Sequence, residues 1–493
     1  ISLTWYSGIS IKSSNLNNLL FNTINNVTNY GIEITYSNFT KLVSNTVNNN
    51  RYGTDNGYGT VITLSYYTFL NNNTFDNNVY GLSVDSSELT MTSNKITNSS
   101  KLNLIINSNT PSGFFHNIDT SNTINGKPIY YLVNQKNVQI PADAGYVAAI
   151  NSTNITVKDL TLANNGPGVL FALTENSKIE NVTTINSSDS GIFLFSSNRN
   201  ILINNKASKS YYAAHETSQF SSLGIALISS SFNTLINNKV SDNLLGIGLS
   251  NSSFNYLINN SAQSNYFGFD YGSIANRLSS HNNVFISNLA QNNYYGFVGG
   301  STFQWYVSSN NNIFLNNIAS NNYEYGFFSI GTNNTFSSNI AENNYNGGFF
   351  SSDGNNNLTN NIAINNRQGI GIGGSYNILL NNTVKNNSEG ITIGSSCCDT
   401  LKNNVMSNNT FNFIPPTQKN LYFNSMATYN IDFSNTVDGK PIFYIKNANN
   451  TIFDSSTNVG AFYCISCNNI TIRDLTLTKN GVGVLLFDTK NSK

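Results

Sequence analysis

Between residues 205 and 404 one pattern of apolar and polar positions returns again and again. An aliphatic or aromatic residue is followed by two residues, an Asn, one residue, a small aliphatic, two more residues, usually another Asn, and then a Gly. Leu235-x-x-Asn238-x-Val240-x-x-Asn243 with Gly246 is one copy; Phe336-x-x-Asn339-x-Ala341-x-x-Asn344 and Leu379-x-x-Asn382-x-Val384-x-x-Asn387 with Gly390 are others. The key Asn recurs at Asn205, Asn238, Asn260, Asn288, Asn317, Asn339, Asn361, Asn382 and Asn404. Most intervals are 21 or 22 residues, and the longer ones read as insertions. The frame extends towards the N-terminus through Leu42-x-x-Asn45-x-Val47, Leu70-x-x-Asn73-x-Phe75 and Met91-x-x-Asn94-x-Ile96, with Gly53 and Gly81 in place. Residues 181–197, with Asn181 and Gly191, fit the frame loosely.

Apolar residues alternate within each copy, as at Leu235, Val240, Ile247 and Leu249. A period of two in short runs, punctuated by Asn and Gly, predicts strands and turns. Three strands of about five residues and three turns make up one repeat. Such a unit cannot bury its own apolar face, so it stacks on its neighbours. The predicted fold is all-β: a parallel β-helix solenoid, right-handed by the chirality of parallel connections, with three short strands per coil. Asn suits the turns because it tolerates left-handed backbone and satisfies turn amides. Stacking then places the amides above one another as an internal Asn ladder. A genome rich in Asn accounts for the 96 Asn but not for their phase.

A longer repeat overlies the short one. Asn125-Gly126-Lys127-Pro128-Ile129-Tyr130-Tyr131 returns as Asp438-Gly439-Lys440-Pro441-Ile442-Phe443-Tyr444, at an offset of 313. Asn154-Ile-Thr-Val-Lys-Asp159-Leu-Thr-Leu returns as Asn469-Ile-Thr-Ile-Arg-Asp474-Leu-Thr-Leu, at 315. Residues 105–417 read as one complete large unit, 1–104 as the end of a preceding one, and 418–493 as the start of the next. The chain is therefore expected to be a segment of a longer array.

These segments, with the glycine-bearing coils that end in paired Asn, resemble the NosD-type family of right-handed β-helices, within the wider pectate-lyase-like superfamily. The resemblance covers nearly the whole chain. It specifies fold far better than activity, because the matching motifs are structural and the superfamily spans lyases, hydrolases, adhesins and scaffolds. The family name implies copper delivery, which would need clustered soft donors. Here Met91, Met406, Met426, His116, His215 and His281 are scattered. The superfamily implies polysaccharide cleavage, which needs paired carboxylates or an acidic cluster beside a basic group. The acids are thinly spread, and none of Arg51, Arg199, Arg277, Arg367 or Arg473 lies beside an acidic cluster. Asp159 and Asp474 read as turn residues of a duplicated coil.

Composition narrows the picture further. Charged residues are 10% of the chain, 24 acidic against 24 basic, so no field draws it to nucleic acid or to an anionic membrane. Aromatics at 12%, with regular strand patterning, exclude a disordered chain. No apolar run is long enough to span a membrane, and a secretion signal is expected outside this segment. Amides and hydroxyls do not titrate, which suits an extracellular life, including an acidic one.

Candidate sites are few. Cys397-Cys398 and Cys464-x-x-Cys467 are candidate disulfide cysteines of an oxidising compartment, with buried thiols or a metal site as the alternatives. Seventeen Asn-x-Ser/Thr sequons occur, about as many as chance gives, so the count itself is uninformative. Asn26, Asn38, Asn72, Asn151, Asn251, Asn333 and Asn386 are candidate acceptors in exposed turns. Insertions near 208–222, 270–281 and 297–310 carry Tyr211, Tyr212, His215, Tyr271, Arg277, His281, Gln304, Trp305 and Tyr306. Of these, Tyr271, Arg277, His281, Gln304, Trp305 and Tyr306 form a candidate patch for a sugar or protein partner; the plainer reading is that they cover the solenoid side. No catalytic residue, cofactor or metal is assigned. The expected function is a non-enzymatic extracellular scaffold, a segment of a cell-surface or filament-forming glycoprotein that self-associates or meets other surface proteins and glycans. The alternatives are a carbohydrate-binding or polysaccharide-cleaving β-helix and a viral or adhesin-type receptor-binding one.

Overall fold

The computed structural model describes all residues except 52–56, 211–221, 273–277, 301–307, 395–396 and 417–425. By its internal contacts the chain forms two compact units, Ile1–Asn255 and Tyr256–Lys493. Each is built of coils of a parallel β-helix. In the second unit a representative coil consists of strands Thr335–Ser337, Ile340–Glu342 and Gly347–Ser351. The next coil, Asn357–Thr359, Ile362–Ile364 and Gln368–Ile372, pairs with it strand for strand in parallel.

The three-residue strands each turn only their middle residue inward, Phe336 and Ala341 in this coil, and the longer strand contributes Phe349. Stacking in register turns these positions into columns. Phe269, Phe297, Phe327 and Phe349 stack at 4.7 Å per step. Phe285, Phe314 and Phe336 do the same. Between the two Phe columns runs Ala290, Ala319 and Ala341, in register. The Phe columns give way to Leu358 and Ile370 in the next coil, where Ala363 still holds the Ala column, and Val384 joins Leu379 and Ile391 one coil later.

The turns explain the Asn phase. Asn317, Asn339, Asn361, Asn382 and Asn404 form a line in which each backbone N–H donates to the Oδ1 of the next, at 2.9–3.1 Å. Each Nδ2 donates to that same oxygen and to a strand carbonyl: Asn339 Nδ2, for example, reaches Phe314 O at 2.9 Å. All nine Asn predicted to form this line are at most 1% exposed. In the first unit Asn45, Asn73, Asn94 and Asn122 form a like line, and Asn205 donates to Asn238. Asn181 does not belong to it. Val182 takes the ladder position and donates its N–H to Asn205, while Asn181 is exposed.

Two further lines flank this one, a multiplicity that the expected single ladder did not include. Asn312, Asn334, Asn356 and Asn377 run before the first short strand and end on Asp399. Asn293, Asn322, Asn344, Asn366, Asn387 and Asn409 run after the second. The left-handed backbone also sits elsewhere than expected. It is adopted by the residue before each ladder Asn, as at Asn237, Ser338, Asn360 and Asn381, with φ of 56–57°. In an Asn-Asn pair the first makes the turn and the second makes the ladder. The recurring Gly has a packing reason: a Cβ on Gly348 would lie 2.7 Å from Gly369 O and 3.0 Å from Asn366 Nδ2.

The long repeat marks a different event. Thr123–Ile124 pairs antiparallel with Lys127–Val133, and Thr436–Val437 with Lys440–Lys446. Asn125-Gly126 has φ of 48° and 78°, and Asp438-Gly439 has 46° and 80°, as a two-residue hairpin turn of right-handed twist requires. The Asn-Gly and Asp-Gly pairs carried this signal in the sequence. After each hairpin parallel stacking resumes, Lys127–Val133 on Tyr146–Ile150 and Lys440–Lys446 on Ala461–Ile465.

Candidate functional site

Of the patch predicted on the insertions, Tyr271 and His281 lie among the described residues. Tyr271 follows Phe267 and Phe269 in strand alternation and lies fully buried, its ring 4.9 Å from Phe314 and 5.5 Å from Phe285. It belongs to the core, not to a partner surface. His281 is half-buried, and its Nδ1 accepts the Asn310 N–H at 3.0 Å. Arg277, Gln304, Trp305 and Tyr306 lie outside the described residues, as do Tyr211, Tyr212 and His215. One row of tyrosines, exposed Tyr266, Tyr323 and Tyr345 with half-buried Tyr294, stacks at 4.5, 5.0 and 5.2 Å along the turn after the second short strand. Their rings face one another and present edges to solvent.

Cys464 and Cys467 form a disulfide with Cα atoms 6.0 Å apart. Cys397 and Cys398 are free thiols in a turn. Cys398 is lowered below the usual thiol range, chiefly by its hydrogen bond with Cys397, which is itself raised. Among the proposed acceptors, Asn26, Asn72, Asn151, Asn251, Asn333 and Asn386 are exposed and Asn38 is half-buried.

A cavity of about 520 Å³, open on one side, lies beside the first hairpin and was not anticipated. The hairpin strand Lys127–Val133 supplies Tyr130 and Leu132; the preceding segment supplies His116, Asp119 and Thr120; Gln135 follows the strand. His116 is 4% exposed, and neither ring nitrogen has a hydrogen-bond partner. Desolvation alone lowers its pKa to about 3, so the imidazole is neutral. Tyr131, whose ring centroid is 5.7 Å from that of His116, is fixed by a 2.6 Å bond to Phe114 O. Asp119 Oδ1 is engaged by the Ser121 N–H at 3.1 Å, by the Ser121 hydroxyl, and by Asn122 Nδ2 at 3.1 Å.

The second hairpin repeats this frame with other side chains. Tyr444 bonds Met426 O at 2.6 Å, as Tyr131 bonds Phe114 O. Tyr429 stands where His116 does, and Phe433 where Thr120 does. The Phe433 ring packs 4.9 Å from Phe443, which corresponds to Tyr130. The difference was legible in the 313-residue offset, but only once the hairpin gave those positions a common wall.

Some solved structures are similar to this chain at low identity. The A-module of Azotobacter vinelandii mannuronan C-5 epimerase AlgE6 is 11% identical over 82% of this chain and 90% of its own, with a TM-score of 0.36. Alginate lyase AlyF-OU02 is 13% identical over 64% and 79%, at 0.40. PfbA, a surface adhesin of Streptococcus pneumoniae, is 12% identical over 72% and 85%, at 0.30. At these levels the likeness carries nothing about activity. No curated protein matches the chain.

A family described as periplasmic copper-binding protein (NosD) matches residues 107–309 and 304–439. Among the described residues the candidate donors do not gather into a site for a resident copper ion. Met91, Met406 and Met426 are core residues at most 1% exposed, His116 is buried, and Cys464 and Cys467 are joined to each other. Among the described residues, no three His, Cys, Asp or Glu side chains converge. The matched segments together span more than half of the chain: the protein belongs to the NosD family of parallel β-helix proteins.

Proposed function

We propose that this chain is a non-enzymatic extracytoplasmic scaffold, a segment of a cell-surface or filament-forming β-helix glycoprotein. The observation that carries the reading is where the polar side chains go. Three buried amide lines in the second unit bind coil to coil, so the abundant Asn is invested in holding an elongating stack together. The outer surface is left neutral and poor in titrating groups, which favours persistence outside the cytoplasm. In the same reading 105–417 is one unit of a longer array, and the exposed sequons are its glycan acceptors. Among the described residues, no helix is long and apolar enough to cross a membrane.

Surface labelling of intact cells with a membrane-impermeant reagent tests this. The protein should be labelled without lysis and should remain with the cell envelope afterwards. Recovery in the soluble cytosol would overturn the reading. New reducing ends or unsaturated products from acidic polysaccharides incubated with the purified protein would replace it with a polysaccharide-cleaving one.

A further inference from the structure

We infer that the cavity beside the first hairpin is a binding site for a neutral saccharide. The inference goes beyond the scaffold reading and does not depend on it.

Comparison within the chain separates a designed opening from a packing defect. Both hairpins have the same turn, the same antiparallel register and the same tyrosine bonded to a carbonyl at 2.6 Å. In the second, Phe433 and Phe443 pack ring against ring. In the first, Thr120 and Tyr130 hold those places, and the space stays open at about 520 Å³. Three of the aromatic or apolar residues of the second hairpin, Tyr429, Phe433 and Ala448, correspond to His116, Thr120 and Gln135 of the first. Each exchange opens the wall or adds a hydrogen-bonding group.

The chemistry of the wall selects the ligand. Tyr130 and Leu132 offer apolar surface to the C–H face of a sugar ring. Thr120 and Gln135 offer donors and acceptors side by side, which match hydroxyl groups. His116, neutral and without partners, offers one donor and one acceptor at a buried point where an unmet group is costly. Asp119 is the one carboxylate among these lining residues, with its Oδ1 held by Ser121 and Asn122. That charge disfavours an anionic sugar, and one occupied carboxylate is too little for a cation site.

Three histidines in the sequence make the test clean. Protein labelled selectively at histidine would be titrated with cellobiose, maltose and N,N′-diacetylchitobiose, and the imidazole resonances followed by NMR. At least one of these sugars should shift the His116 resonance saturably and leave His281 in place. Thr120→Phe, which copies the second hairpin, should abolish the shift while preserving the melting temperature. An unmoved His116 resonance with all three sugars would overturn the assignment. So would an equal shift in Thr120→Phe, or a larger response to trigalacturonate than to the neutral sugars.

Discussion

Asn339 receives two hydrogen bonds from Asn317, through its N–H and Nδ2, and passes two to Asn361, with a further one to Phe314 O. Replacing it by Leu keeps the backbone donor but takes the acceptor from the Asn317 N–H and the side-chain donor from the Phe314 carbonyl, while Asn317 Nδ2 keeps its bond to Phe285 O. Each lost buried partner costs about 1–3 kcal/mol, so Asn339→Leu should lower the denaturation midpoint sharply. Asn333→Gly is the control, because Asn333 is exposed with φ of 59° and glycine adopts that backbone freely. Its midpoint should stay close to that of the parent, whereas equal losses for the two variants would refute the division of labour in the turns. Phase alone made the ladder position of Asn339 readable. Which Asn of a pair turns the chain was not readable, since one residue type serves both tasks. His116 supplies a second test at this scale. Its folded pKa, about 3, lies below the unfolded value near 6.5, so the unfolded chain binds the proton more tightly. Stability is therefore complete above about pH 6.5 and falls as pH drops towards 3, by on the order of 1 kcal/mol per pH unit. His116→Tyr, the residue of the second hairpin, should remove that slope in denaturant titrations at a series of pH values. A slope unchanged by the substitution would place His116 in contact with water.

One coil is the next scale, and its packing is a trade between three columns. Ala341 lies between Phe336 and Phe349, and one coil pair further on Val384 lies between Leu379 and Ile391. Ala341→Val alone should overpack the coil, at about 1–3 kcal/mol. Phe349→Ile alone should leave a cavity of comparable cost. Combined, they set Val beside Ile, as at Val384 and Ile391 two coils on, so the double variant should be more stable than the sum of the two losses predicts. Additive losses in a double-mutant cycle would show that the columns do not share one volume. This substitution logic could be read off the chain only in part. The sequence shows Phe, Ala and Gly at regular spacing, but pairing of Phe349 with Phe327 at 4.7 Å depends on register between coils. Tyr271 shows the opposite failure. Its two-residue spacing from Phe269 marked it as inward-facing, yet proximity to an insertion drew it into a surface patch.

At the scale of the whole molecule, the fold was legible because a solenoid repeats its instructions, and errors at one coil are corrected by the next. The candidate site was not, because it is formed where the two copies of the long repeat differ, at His116, Thr120 and Gln135, and not where they agree. Only the contrast between two hairpins, Asn125-Gly126 and Asp438-Gly439, exposes it. The central claim is that buried amide lines tie the turns into the stack. Turns on a protein surface ordinarily exchange their amide hydrogens quickly, since water reaches them. Here the N–H groups of Asn317, Asn339, Asn361 and Asn382 donate to buried Oδ1 atoms at 2.9–3.1 Å. Hydrogen–deuterium exchange resolved to these turns measures the claim directly. The ladder amides should be protected as strongly as the strands beside them. Rapid exchange at the ladder positions, at the rate of an open turn, would contradict the account.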